Sequence, residues 1–325
     1  MTQPRLAHQT EHGRMYSRST SAQPTVPSIT TVIGQQATDL TGWSGYMAAN
    51  HLASHPGLLS AAGDPGQLRP LVREAASAAE QYRNTAAERG DRVHHYAEQV
   101  ALRALGREHR AREAREDLAA HGEQQFADRF DEWWTAYQVE PIAAEATVWN
   151  QDVGYAGTLD LIARIGGRVC LIDFKTKGTD RDGFVKAMDE KVVMQLVAGM
   201  KAQEWLVDAE AGIWEPFPHG QSPLLLPVAI GQTEVRPMRA RDDVLAHHWY
   251  KFCSLRRVWE TTANATAAGR ALLPIAPPPA GSPAVRPEAA GPAVEATAGG
   301  PEEPRRPAGA TAVSALAGTA SAAGS

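Results

Sequence analysis

The chain has 325 residues, enough for one large domain or two smaller ones, and a formal net charge of -5. That charge excludes a global basic field for nucleic acid, so any DNA contact needs a local patch. Cys170 and Cys253 lie in apolar surroundings and read as reduced core residues. No apolar run is long enough to span a bilayer and no leader pattern opens the chain, so the expectation is a cytoplasmic protein that meets no membrane.

Residues 1–24 are polar and mixed, and are expected to be a flexible N-terminus. In Val26-Pro27-Ser28-Ile29-Thr30-Thr31-Val32-Ile33, Ser28 or Thr30 can cap a following turn, with Trp43 as an apolar anchor. Residues 42–54 read as a short helix, broken by Pro56-Gly57. A second helix is expected over 68–84, and a third around Ala86–Glu98. Gly90 inside that pattern costs helix stability, and close approach of another backbone would justify it. His94 and His95 follow; next to Tyr96, each reads on its own as a packed or surface histidine. Residues 98–121 mix Arg, Glu and Ala as a solvated, ion-paired helix does. Residues 123–138 form an amphipathic helix with an aromatic stripe of Phe126, Phe130, Trp133, Trp134 and Tyr137.

Residues 141–149 predict a strand in which Ile142, Ala144, Ala146 and Val148 alternate against Glu145 and Trp149. Gly154 to Thr176 then predicts a hairpin. Gly154–Gly157 gives a turn or bulge, Thr158–Ala163 and Arg168–Lys175 give two apolar strands, and Gly166-Gly167 joins them. Each strand carries one carboxylate, Asp160 near the start of the first and Asp173 near the end of the second. Alternation places Asp173 and Lys175 on one face, with Ile172 and Phe174 on the core face. Two carboxylates brought together repel unless a proton or cation lies between them, and Mg²⁺ takes hard oxygen ligands. Solvent-facing charges with an ordinary salt bridge are the competing reading of the same pattern.

Ala187–Val207 reads as a helix bearing Gln195, and Lys177, Lys186 and Lys191 supply local positive charge that could meet phosphates. Residues 223–230 and 233–238 suggest another hairpin, in which Pro227 argues for an edge strand. Residues 242–262 read as a last helix with Leu245, Trp249, Phe252 and Trp259 for packing. From 263 to 325 the composition turns to Ala, Pro, Gly and Thr, which predicts a disordered tail.

Gly157-Thr158-Leu159-Asp160 followed by Ile172-Asp173-Phe174-Lys175-Thr176 resembles the core of the PD-(D/E)XK nuclease superfamily. The resemblance is to its RecB-like and Cas4-like exonuclease branch, as found in bacteriophages of actinobacteria, and extends over about residues 25–260, which implies a nuclease domain over 25–262. The opening Pro27-Ser28-Ile29-Thr30-Thr31-Val32, the run Arg89-Gly90-Asp91-Arg92-Val93-His94 and the pair Gln195-Leu196 fall in the family's order. One departure is Gly199, where the family usually has a tyrosine. The resemblance implies an α/β fold: a restriction-endonuclease-like core with a central mixed β-sheet flanked by helices and an N-terminal helical region. It implies that His94, Asp160, Asp173 and the Phe174 carbonyl hold Mg²⁺ or Mn²⁺. Lys175, Gln195 and Glu145 complete the implied catalytic set.

The implied activity is metal-dependent DNA exonuclease hydrolysis in phage recombination or end processing, in the host cytoplasm, with a phage single-strand annealing protein as partner. A structure-specific or restriction-type endonuclease and a catalytically inactive DNA-binding module are the alternatives. Two cysteines cannot supply the four thiolates of the iron–sulfur cluster that some relatives carry, so the cluster-free branch is implied. No GxxxxGK[ST] P-loop is present, which excludes a motor of that type.

Overall fold

Gly166 and Gly167 take φ angles of 55° and 76°, the positive values a two-residue hairpin turn of type I′ needs. In the computed structural model, which describes residues 4–277, this turn joins β5 (Tyr155–Ile165) to β6 (Arg168–Thr176), with Leu161 opposite Ile172 and Ile165 opposite Arg168. The hairpin is the centre of a seven-stranded sheet. Its other strands are β4 (Glu140–Asn150), β7 (Glu204–Asp208), β8 (Ile213–Pro216), β9 (Leu224–Ile230) and β10 (Val235–Pro237). The order is β10-β9-β6-β5-β4-β7-β8, and the sheet is mixed because β6 and β9 run parallel.

Helices cover both faces. On one, α4 (Pro65–Ala104) and α6 (Gln124–Ala136) bury Val93, Tyr96, Phe126, Phe130 and Trp133 against Ile172 and Phe174. The intervening α5 (Ala111–Ala120) adds Ala114 and Leu118 to that core. On the other, α7 (Lys191–Met200) packs Val192, Leu196 and Val197 on Leu159, Ile162 and Leu171. Beside it, α1 (Ile29–Ile33) and α8 (Leu245–Ala267) enclose Tyr155, Met194 and Phe252. Before α4 come α2 (Thr41–Ser54) and the single turn α3 (Leu58–Ala61), which complete the N-terminal helical region. The fold is therefore α/β, with a mixed central sheet flanked by helices.

Several local expectations need correction. Residues expected to be a flexible N-terminus hold strands β1 (Ala7–Thr10) and β2 (Gly13–Tyr16), which form a small antiparallel sheet with β3 (Val26–Pro27). Leu6 and Tyr16 anchor it beside Trp149 and Ala156, so apolar burial outweighs the polar average of the stretch. The two helices expected around residue 85 are one helix of 40 residues, capped by the Asp64 side chain, with Pro65 at its first position. A Cβ at Gly90 would meet nothing within 4 Å, so close backbone approach does not explain that glycine. The charged stretch 98–121 is interrupted at Gly106, where φ is 67°. Trp43 packs edge-on to Tyr82 rather than anchoring α1.

The helix expected to reach Val207 ends at Met200, and Trp205-Leu206-Val207 joins the sheet. Pro227 lies on β9 between β6 and β10, not at an edge. Its carbonyl accepts from the Met238 amide, so the position that lacks an N–H faces the end of short β10 and costs β6 no ladder bond. The last helix runs to Ala267, past the boundary expected at 262; residues 268–277 carry no helix or strand. The expected disordered tail from 278 onward lies outside the described residues.

Candidate active site

The register of the strand pair β4–β5 shifts between Pro141 and Ala143 and is continuous from there on. Ala144 lies opposite Leu161 and Ala146 opposite Leu159, which puts Glu145 across from Asp160. Glu145 has φ of 50°, an unfavourable backbone conformation for a glutamate on a strand. The alternation of faces breaks at this pair. Ala143 and Ala146 reach one core while Ala144 packs on the other, and Leu159 and Leu161 divide the same way. Regular alternation would have kept Glu145 with Trp149; the kink turns its carboxyl toward the cleft that Asp160 faces.

Around that pair the sheet and α4 bring together most of the residues singled out from sequence. His94 Nδ1 lies 3.5 Å from Asp160 Oδ2, and the same oxygen accepts a 2.8 Å hydrogen bond from the Phe174 amide. The His94 ring stands edge-on to Phe174, which fixes it over β6. His95 turns away to Glu98, with Nδ1 3.4 Å from Oε2. Asp173 is buried and pairs with the Lys175 ammonium, whose Nζ also donates to Gln195 Oε1 at 3.3 Å. Arg89 and Arg92, from the stretch that carries His94, both hold Glu123 at the start of α6 and so brace the helix. The cleft measures about 170 Å³ and is lined by His94, Glu145, Asp160, Lys175 and Gln195.

The electrostatics follow from burial. Desolvation, reinforced by Asp160 and Glu98, pushes Glu145 up to about 9. Burial raises Asp160 as well, against the opposing pull of Lys175 and the Phe174 amide. Asp173 is raised to about 6 by burial, with Lys175 lowering it and Asp160 raising it. Burial lowers His94 to about 4, helped by Lys175, so its imidazole is neutral at pH 7. Burial opposes the charge on Lys175, but Asp173 and Asp160 outweigh it and the ammonium persists.

This donor set suits a hard divalent cation. Three carboxyl groups crowd one buried place at the expense of their ionisation, and a neutral imidazole and a backbone carbonyl stand beside them. The Phe174 amide points at Asp160, and in an extended strand a residue's N–H and C=O face the same neighbour, so the Phe174 carbonyl lies on the Asp160 side. Among the described residues no three His, Cys, Asp or Glu side chains are placed together to hold a metal ion as they stand, and the Asp173 carboxylate is paired with Lys175.

Lys177 and Lys191 line a neighbouring cavity of about 130 Å³ that shares Lys175 and Gln195 with the cleft. Lys191 Nζ donates to Thr38 Oγ1 at 2.6 Å. Lys186 is exposed and lines a different cavity with Met188 and Arg236, so the structure does not bring it to this site. The N-terminal hairpin and α1 supply residues that sequence reasoning missed: Arg14, Tyr16, Ser28 and Thr30 line the cleft. The Tyr16 hydroxyl meets Thr158 Oγ1 at 2.9 Å, and Ser28 caps α1 through the Thr31 amide. Among them Ser28 and Thr30 had a local sequence signal, as candidate caps, and Ser28 is the one that caps.

No protein-family model matches the chain, and no curated protein matches it. A solved structure titled "Crystal structure of SSO0001" is similar at 12% identity, covering 50% of this chain and 74% of that one, with a TM-score of 0.23. Among the described residues no helix is long and apolar enough to cross a membrane.

Proposed function

We propose that this chain is a metal-dependent deoxyribonuclease of the PD-(D/E)XK type, an exonuclease that hydrolyses phosphodiester bonds in phage DNA recombination or end processing. One observation carries the reading: Glu145 and Asp160 oppose each other across β4–β5, in a cleft that also holds neutral His94, Lys175 and Gln195, with Asp173 paired to that lysine. Asp160, Asp173, His94 and the Phe174 carbonyl would hold Mg²⁺ or Mn²⁺, with Glu145 beside them. When bound, such an ion lowers the pKa of water and polarises a phosphate.

The chain's own groups do the rest. Neutral His94 has a nitrogen lone pair to offer and adds no charge of its own. Lys175 keeps its proton and offsets negative charge that grows on the phosphate oxygens in the transition state. Gln195 holds the ammonium in place from α7. Lys177 and Lys191 give the DNA backbone a sequence-independent hold beside the cleft. A single-strand annealing protein is the partner that the family resemblance implies.

The test is hydrolysis of linear and covalently closed circular DNA with Mg²⁺, Mn²⁺ or EDTA. The expected result is loss of linear DNA alone, with either metal and not with EDTA. In D160A and D173A both hydrolysis and calorimetric Mn²⁺ binding should disappear. Cleavage of the closed circle would move the reading to an endonuclease, and metal-independent or absent hydrolysis would end it.

A further inference from the structure

The largest of the described cavities lies outside the set of residues just discussed. It measures about 780 Å³, runs between the N-terminal hairpin, α1 and the end of α8, and meets the cleft at Arg14 and Thr30, which line both. Uncharged polar side chains such as Gln9, Gln35, Thr262 and Thr266 line it together with Trp259, and its charged lining is Arg14 and Glu11, the latter beside His12. On the far side of Thr30 lies the cavity with Lys177 and Lys191. Thr30 therefore borders three connected spaces, with the carboxylates in the middle one.

Arg14 stands at the junction. Its backbone is fixed, since its carbonyl accepts from both the Ser28 amide (2.8 Å) and Thr31 Oγ1 (2.9 Å). Its neighbours Met15 and Tyr16 are buried, while Arg14 is exposed and pairs with no carboxylate among the described residues. Two other cations near the cleft are engaged, Lys175 with Asp173 and Lys191 with Thr38. The chain's net charge of -5 gives a DNA strand no general attraction toward the cleft, so local positive charge has to supply it. The Arg14 guanidinium, exposed on a backbone held at the mouth, supplies that charge and suits a phosphate in two-point contact.

We propose that Arg14 binds a backbone phosphate of the substrate strand, and that the groove between the hairpin, α1 and α8 carries the nucleotides on that side of the cleaved bond. This inference rests on the nuclease reading and adds a binding site in a cavity other than the one lined by Lys177 and Lys191. The site takes a single DNA strand through its phosphates.

The experiment uses the full chain with Mg²⁺ and a single-stranded oligonucleotide, and measures kcat and KM over a series of salt concentrations. R14A should raise KM about 3- to 10-fold, leave kcat within about 2-fold, and flatten the dependence of log KM on log salt by about 0.7. R14K should restore most of that slope. T266E, which puts a negative charge in the groove far from the carboxylates, should raise KM in the same direction. Wild-type KM and salt slope in R14A, or a fall in kcat at unchanged KM, would overturn the proposal while leaving the nuclease reading intact. A wild-type protein that hydrolyses no DNA would overturn both.

Discussion

A carboxyl group held at about 9 beside a second buried carboxyl makes stability depend on pH in a defined direction. Glu145 ordinarily titrates near 4.5, so between that value and about 9 the folded protein keeps a proton that the unfolded chain has released. Its contribution is complete below the unfolded value and is lost as pH rises through the folded one. For metal-free protein, E145Q should melt with the wild type at pH 5 and a few degrees above it at pH 9, with added Mn²⁺ narrowing the gap. A gap independent of pH would show that Glu145 carries no shifted proton. His94 works in the opposite sense. Its value falls from 6.5 to about 4, so the stability it contributes is lost as pH drops through that window. H94A should weaken Mn²⁺ binding by at least about 10-fold, whereas H95A, whose ring faces Glu98, should change it little. Equal affinities in parallel calorimetric titrations would remove His94 from the metal site. On the proposed function, Lys175 separates binding from turnover. K175A should retain Mn²⁺ affinity and lose about 10² to 10³ in kcat, because the ammonium acts on charge formed during the reaction. Turnover at the wild-type rate would end that role.

The cleft depends on two places where a helix lies against β5 with no room for a methyl group. A Cβ on Gly157 would sit 2.5 Å from Ile29 Cδ1, and one on Gly199 would sit 2.5 Å from Leu159 Cδ2. The second contact leaves no room for a side chain at Gly199 unless Leu159 moves. The first ties α1, with Ser28 and Thr30, to the strand that carries Asp160. G157A should therefore destabilise the protein by about 1–3 kcal/mol and lower turnover as α1 shifts, measured by denaturant unfolding and by nuclease assay. Wild-type stability would mean that Ile29 simply changes rotamer. The sequence made the β5–β6 hairpin legible because a glycine pair and two apolar runs are local signals, and Asp160, Asp173 and Lys175 came with it. Other features were hidden because distant partners decide them. Tyr16 reaches Thr158 across 142 positions. The positive φ of Glu145 and the break in alternation around it leave no mark in composition. Pro227 looked like an edge residue because strand order cannot be read from one strand's residues.

At the scale of the whole molecule, the two ends of the described chain differ in what they bury. At the N-terminus, Leu6, Met15 and Tyr16 are buried, and the backbone of the hairpin region is held from afar. Trp259 of α8 donates its indole N–H to the His12 carbonyl at 3.0 Å, and Trp214 donates to Arg18 at 2.8 Å. Toward the other end, α8 is anchored by Phe252 and by Arg256, which donates to the Gly154 carbonyl at 2.7 Å, while Leu272, Leu273 and Ile275 are exposed. Each buried apolar side chain of that size contributes about 1.5–3 kcal/mol, so deleting residues 1–24 removes several kcal/mol of burial and one wall of the cleft. That deletion should lower the melting temperature by roughly 10 °C or more and abolish hydrolysis. A chain of residues 1–271 keeps every helix and strand described and loses only exposed apolar groups among the described residues. Its melting temperature and specific activity should match the full chain. A large fall in either would show that residues beyond 271 pack on the rest of the chain or recruit the proposed substrate.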